Sequence, residues 1–308
     1  TRAALGAAGV PQPSSTPVRT ADAALRVAER IGYPVVVKPS DLALSLGVVI
    51  VHTPAELADA FAATSAIRVP ELPDYRVRVL LEEYVDGDEI SVDTAVCRGE
   101  TFPLVLARKQ VGFAPYAVEV GHHVDHADPL LTDPTLAAVL RDTHAALGLT
   151  DGVTHTELKL TVDGPKVIEV NGRLGGDLIP YLGLCSRGID TGLAAAAVAC
   201  GERPGVRATR STVAGVRFCY PETRIRVDSI GFDETALHPA TDRYGALVAP
   251  GSIAPPPPEG ILTGRTAYVT AVADTVKECL AALDAGAAAL RIDGTAPGGA
   301  VPDGDAAA

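Results

Sequence analysis

The residues best equipped for chemistry lie between Thr154 and Asp177, in the stretch THTELKLTVDGPKVIEVNGRLGGD. Two β-type runs flank an Asp163-Gly164-Pro165 turn and carry Glu157, Glu169, Asn171 and Arg173. Side chains two apart on a strand share a face, so Glu169, Asn171 and Arg173 point the same way. A connection that uses three residues, or an equivalent bulge, sets Val162 against Lys166 and Glu157 opposite Asn171. A two-residue turn would instead pair Leu158 with Glu169 and send Glu157 to the other face. In the first register, two carboxylates, an amide oxygen and a guanidinium meet on one patch. Hard oxygen ligands of this kind suit Mg²⁺ or Mn²⁺, and an arginine beside them suits a phosphate on the metal. The competing reading is an ordinary exposed hairpin face. Val167, Ile168 and Val170 count against it, because they mark the second strand as buried.

Three further segments carry chemical groups. Val35-Val36-Val37-Lys38-Pro39 ends an apolar strand in a lysine, ahead of a loop and a second strand that opens Gly47-Val48-Val49. That arrangement fits a flap closing over polyphosphate with Lys38 as a point charge, and equally a solvated strand-end lysine. In Leu80–Glu89, an apolar strand runs into an acidic linker that turns at Gly87. It offers backbone groups around Glu83 to Val85 for a purine edge and the Glu89 carboxylate for a ribose diol. The third, Glu119 to His126, holds His122, His123 and His126. On a helix His122 and His126 would share a face, but Gly121, Val124 and the nearby prolines favour strand and loop. A dedicated metal site there is the minor reading beside substrate contact or a solvated loop.

The elements that must position these groups alternate between strand and helix. Helices are expected over Thr1 to Gly9, Ala21 to Ile31, Thr53 to about Ala63, Asp133 to about Gly148, Ile189 to Cys200 and Thr275 to Leu290. Thr53-Pro54-Ala55-Glu56 reads as a capping box. Strands are expected at Pro34 to Lys38, Gly47 to Val51, Val77 to Tyr84, Ile90 to Cys97, Val213 to Tyr220 and Thr266 to Val272. The class is α+β or α/β, with no internal repeat. With 308 residues, 47% of them hydrophobic, the chain can fill more than one core. A net charge of −12 argues against a general nucleic-acid or anionic-membrane surface, though not against a small anionic ligand. Five scattered cysteines without CxxC spacing read as buried thiols in a reducing compartment. No signal-peptide pattern and no apolar run of spanning length occurs, so the expected location is the cytoplasm. Met is absent and the chain opens inside a helical pattern, so sequence before Thr1 is expected.

The order VVVKP…GV, LLEEYVDGDE, TEL…VIEVNGRLGG resembles the ATP-grasp superfamily of carboxylate ligases, and most of all its dipeptide-forming L-amino-acid ligases. That branch is similar to carbamoyl-phosphate-synthase-type ATP-binding domains. The resemblance covers about residues 1–201 and implies an α+β ATP-grasp fold. It divides the chain into a flap subdomain (1–84), a large subdomain with the metal site (85–202) and a C-terminal α+β subdomain (203–296); the Gly- and Ala-rich end (297–308), which has no hydrophobic pattern, reads as a disordered tail. The resemblance implies ATP and Mg²⁺ (or Mn²⁺) as cofactors. By this likeness Lys38 and Lys109 contact the phosphates, and Ser45 and Gly47 belong to the phosphate loop. Glu82, Glu83 and Val85 meet the adenine and Glu89 the ribose. Glu157, Glu169 and Asn171 hold the metal, Arg173 neutralises a forming acyl phosphate, and Glu119, His122, Gly175 and Gly176 face the substrate. The partners implied are small molecules, a carboxylate and an amine, with no nucleic acid or membrane; a homodimer is left open.

One feature departs from that pattern. The loop after Lys38 is DLALSLG where the family is glycine-rich, and only Ser45 and Gly47 keep the Ser-x-Gly-Val element. Backbone amides approach phosphate most closely where no Cβ intervenes, so Leu42, Ala43, Leu44 and Leu46 should weaken closure. The activity implied is an ATP-dependent carboxylate–amine ligase that forms an amide through an acyl phosphate and releases ADP and phosphate. The alternatives are bicarbonate activation of the biotin-carboxylase or carbamoyl-phosphate type, and a silent nucleotide-binding module.

Overall fold

The computed structural model describes residues 1–40, 42, 45–68 and 78–297. After helix α1 (Arg2–Ala7), the first half contains β1 (Ser15–Val18), α2 (Ala21–Ile31), β2 (Val35–Pro39), β3 (Val49–Val51), α3 (Pro54–Ala66) and β4 (Val79–Glu83). The strands form a sheet in the order β1-β4-β2-β3, all antiparallel. Val35, Val37, Val51 and Leu81 pack from it against Ala24, Ala28 and Leu57 of α2 and α3. Helix α2 starts where the Thr20 hydroxyl accepts from Ala23 N and stops at Gly32, whose φ of 91° an L side chain would resist. At α3 the capping box forms only in part. The Thr53 side chain makes no cap bond, while Glu56 accepts the N–H of His52 at 2.9 Å, and α3 runs past Ala63 to Ala66.

The larger sheet comprises β5 (Asp88–Cys97), β6 (Glu100–Gly112), β7 (Val118–Asp125), β8 (Gly152–Thr161), β9 (Gly164–Asn171), β10 (Val213–Cys219), β12 (Thr241–Ala246) and β14 (Ala267–Ala273). Its order is β12-β14-β10-β7-β6-β5-β8-β9. Helix α4 (Pro134–Ala146), capped by Asp133, covers one face through Leu136, Val139 and Leu140 against Ile90, Val92, Leu106 and Leu158. Leu5 and Val10 join that cluster, so α1 packs with the large sheet although it precedes the small one in sequence. Helices α5 (Ile179–Arg187) and α6 (Thr191–Ala199) cover part of the opposite face. Helix α7 (Val276–Ala289) lies on β10 and β14. Strands β11 (Ile225–Phe232), β13 (Ile253–Ala254) and β15 (Leu290–Thr295) make a small separate sheet. The C-terminal segment therefore extends the large sheet through β10, β12 and β14 as well as building a sheet of its own. The expected tail lies, from residue 298 on, outside the described residues.

The sequence reads one helix from Ile189 to Cys200, but α6 begins at Thr191 under an Asp190 cap, and α5 is a separate helix before it. α5 has no polar N-cap. It starts from Leu178, left-handed at φ 65°, and carries Gly183, so Pro180 in the first turn is its one start signal. No helix among the described residues is long and apolar enough to cross a membrane.

Candidate active site

Register decides the site. The β8–β9 hairpin closes through Val162 and Asp163, with Thr161 opposite Gly164, so the expected three-residue turn is a two-residue one. A bulge then intervenes between the Leu158↔Val167 and Glu157↔Glu169 pairs. It has the effect asked of a longer turn, keeping Glu157 on the face of Glu169, but places it opposite Glu169 rather than Asn171. Pro165 still takes a ladder position, opposite Leu160 at the closed end.

His155, Glu157 and Lys159 of β8 and Glu169 and Asn171 of β9 line a cleft of about 700 Å³. Lys38, Ser45, Glu82 and Val85 line it from the small-sheet side. Burial pushes the Glu169 carboxyl above its usual range, and the facing Glu157 pushes it further. Two carboxylates held together in this way favour a cation.

Lys109 is the hub of the cleft floor. Its side chain is 1% exposed, and its ammonium meets Glu89 at 3.1 Å, Glu157 at 2.8 Å and Glu119. Burial alone would lower the Lys109 pKa, but Glu157, Glu119 and Glu89 raise it well above the ordinary lysine value. Glu157 is held well below the usual carboxylate range, because Lys109 and His155 outweigh the opposing effect of burial. The His155 Nδ1 lies 2.7 Å from Asp93 and its Nε2 3.5 Å from Glu157. Burial would depress this imidazole, yet the two carboxylates raise it to about 9. A ring facing a carboxylate at each nitrogen is best served by two N–H groups.

At the small-sheet side Lys38 pairs with Glu82 at 2.7 Å. Arg2 holds the same carboxylate with two bonds, of 2.8 and 3.0 Å, and donates to the carbonyls of Val167 and Ile168. Glu83 is occupied by Lys166 and by the N–H of Ser14. The side chains of Glu82 and Glu83 are therefore engaged within the protein, and a purine edge would be left with backbone groups near Val85. Gly47 does not line the cleft. A Cβ there would come within 2.2 Å of Ile67, so its φ of 74° closes the loop onto α3. Leu42 and Leu46 line the cleft, with Leu46 43% exposed; Asp41, Ala43 and Leu44 lie outside the described residues.

The third group surrounds Asp177. Arg265 grips its carboxylate with bonds of 2.7 and 2.8 Å, stacks over Phe218 and donates to the Tyr220 hydroxyl. His122, fully buried, lies 3.6 Å from Glu119 and 3.5 Å from Asp177. The histidine cluster does not form. His123 neighbours His122 on a strand and so faces the other way, and His126 meets the Thr212 carbonyl. Arg173 is exposed at the cleft edge and donates to the Leu174 carbonyl. Gly176 lines the cleft, whereas Gly175 is turned inward to Asp93.

A family model described as an ATP-grasp domain matches residues 31–181, the span that holds β2, β3 and β4 of the small sheet together with Lys109, Glu157 and Glu169. Residues 31–181 therefore form an ATP-grasp domain. It is 32% identical over 155 residues to dapdiamide A synthase of Enterobacter agglomerans, covering 49% of this chain and 35% of that one. It is 28% identical over 205 residues to alanine–anticapsin ligase of Bacillus subtilis, covering 59% of this chain and 42% of that one. The chain thus spans less than half the length of either relative. Its fold is that of the L-amino acid ligase from Bacillus licheniformis, with a TM-score of 0.76 at 22% identity, covering 96% of this chain and 71% of that one.

In this ATP-grasp cleft the donor set of Glu157, Glu169 and Asn171 suits Mg²⁺ or Mn²⁺, being all oxygen with one like-charged pair to neutralise. Arg2, Asp93, Asp177 and Arg265 are the residues that sequence reasoning missed. Asp177 closes the stretch singled out above, which was its one signal. The others meet their partners from distant parts of the chain, and no local spacing announces them.

Proposed function

We propose that the chain is the catalytic ATP-grasp portion of an ATP-dependent carboxylate–amine ligase acting on amino acids. The observation that supports this most is the direct opposition of Glu157 and Glu169 beside the buried ammonium of Lys109, at the floor of a cleft between two sheets. A carboxylate oxygen of the first substrate attacks the γ-phosphorus of ATP and ADP leaves. The amine of the second then attacks the acyl carbon, loses a proton and expels phosphate, leaving an amide. Most of the acceleration of such a transfer comes from positioning and charge stabilisation.

In this reading Lys38 and Lys109 hold the phosphates, with Ser45 and Gly47 shaping the loop above them. Lys38 must exchange its Glu82 partner for phosphate. Glu82, Glu83 and Val85 form the adenine slot through their backbone, and Glu89, paired with Lys109 and with Lys159 at 3.4 Å, takes the ribose at the expense of one of these lysines. Glu157, Glu169 and Asn171 would hold Mg²⁺ or Mn²⁺, which supplies charge neutralisation on the nucleotide. Arg173, free to swing from the cleft edge, faces the forming acyl phosphate. Glu119, His122 and Gly176 border the amino-acid pocket, with Gly175 supporting it from beneath. The partners are small molecules and the place is the cytoplasm, consistent with five unpaired cysteines.

The test is phosphate release from ATP by the purified protein against the amino acids, singly and in pairs, with bicarbonate in parallel. Release that depends on a pair of amino acids is expected. Release that depends on bicarbonate alone, or tight ATP binding with no release under any condition, would overturn the assignment.

A further inference from the structure

Asp93 is the most deeply buried carboxylate of the cleft region, at 0% exposure, and the described ion pairs give it one cation, His155. The two residues are direct cross-strand partners on β5 and β8, and Ser91 and Glu157 are the next pair on the same face. On its other side Asp93 receives the Gly175 N–H, at 3.0 Å to each carboxylate oxygen. A Cβ at residue 175 would sit 2.9 Å from His155 Nδ1 and 3.0 Å from an Asp93 oxygen. Only glycine lets the backbone come this close. One buried carboxylate thus touches two separate parts of the cleft. Through His155 it reaches Glu157, and through Gly175 it reaches the segment bearing Arg173, Gly176 and Asp177.

We propose that Asp93 and His155 are positioning residues that brace the metal ligand Glu157 and the 172–178 segment against each other, so that metal uptake and the order of that segment are linked. The inference rests on the reading of Glu157 and Glu169 as metal ligands. The physical argument is one of fixed geometry. The Glu157 carboxylate is shared between Lys109 and His155, and a ligand oxygen is useful only when held in place. The imidazole is itself locked by Asp93, so the orientation of Glu157 is set by groups that never reach the metal. The same Asp93 oxygen accepts from both His155 and Gly175. A shift of Glu157 toward a metal therefore reaches the segment through three successive contacts, of 3.5, 2.7 and 3.0 Å. Linkage then requires the reverse as well: ordering the segment must favour the metal by the same factor.

The test uses Mn²⁺ in the presence of ATP, with free Mn²⁺ read by electron paramagnetic resonance and the Gly175 amide read by hydrogen exchange. In the wild type, Mn²⁺ with ATP should raise the protection of Gly175. His155→Gln should weaken Mn²⁺ binding by about 10- to 100-fold while leaving the resting protection of Gly175 in place, because the Asp93 arm survives. Asp93→Asn should weaken Mn²⁺ binding and also lower Gly175 protection, and should abolish the Mn²⁺-dependent gain. His155→Asn, which keeps an N–H at a different reach, serves as a second variant where Asp93→Asn does not fold. A residue of purely structural value would lower both readouts together in every variant. Equal Mn²⁺ affinity in wild type and His155→Gln would overturn the brace alone. A wild type that takes up no Mn²⁺ with ATP would overturn the metal site and the brace with it.

Discussion

Adjacent residues of β8 show the two characters of the large sheet. Thr154 points toward α4, where its hydroxyl meets His144 Nε2 at 2.9 Å, and burial takes the His144 pKa down to about 4. His155 points into the cleft between Asp93 and Glu157, and there the pKa rises to about 9 against the same tendency of burial. Both imidazoles are nearly inaccessible. What differs is the company. The α4 face offers hydroxyls and leucines, and the cleft face offers carboxylates. Burial alone makes a group neutral, and buried charge persists only where opposite charge is built beside it. The cleft face keeps at least five ionised side chains in contact and is the part of the fold suited to polyphosphate and metal.

The contrast breaks most severely at Lys109. Lys109→Met leaves Glu89, Glu119 and Glu157 without their shared cation, and removal of one partner of a buried ion pair costs about 3–5 kcal/mol. Urea unfolding should show a loss of that size, part of it restored by millimolar Mg²⁺. An unchanged midpoint would mean that the carboxylates relax into solvent and that the cleft floor is softer than its geometry.

The next effect belongs to the other face. The folded pKa of His144, about 4, lies below the unfolded value of about 6.5, so the unfolded chain takes up the proton first. Stability is full above the unfolded value and falls as pH drops toward and below the folded one, by roughly 3 kcal/mol in all. Unfolding between pH 6.5 and pH 4 should show this loss in the wild type and in His155→Gln, and little of it in His144→Gln. His155, charged in both states over most of that range, adds little slope. A steep acid limb in His144→Gln would place the titration elsewhere.

The sequence carried much of this contrast and missed its fine register. Period-two alternation along TELKL and VIEVN was enough to place Glu157 and Glu169 on one strand face or its opposite. The choice between them depended on a bulge at Ile168, which has no residue signature, since its neighbours Val167 and Val170 read as plain strand. The helix Ile179–Arg187 was hidden because its start is stabilised by tertiary packing of Ile179 and Leu182 rather than by a cap. The clamps of Arg2 on Glu82 and of Arg265 on Asp177 bridge residues remote in sequence. Their side chains look like ordinary surface arginines until the chain has folded. The LEEYVDGDE segment was legible as a binding edge, yet the occupation of Glu83 by Lys166 was not.

The smallest expected effect concerns the loop above the cleft. Leu42 and Leu46 line it where a phosphate cradle would carry glycine. Replacing both with glycine should tighten ATP binding severalfold, by closer N–H approach partly offset by about 0.5–1 kcal/mol of chain entropy per residue. Calorimetry showing weaker binding would assign the leucines a packing role against the nucleotide instead.

The claim on which the rest depends is that the opposed carboxylates of β8 and β9 bind the metal that accompanies ATP. It is tested most directly by titrating ATP into wild type and Glu169→Gln, with and without Mg²⁺, by isothermal calorimetry. The account predicts that Mg²⁺ tightens ATP binding in the wild type and gives no such gain in Glu169→Gln, whose thermal unfolding stays native-like. An equal Mg²⁺ gain in both proteins would contradict it.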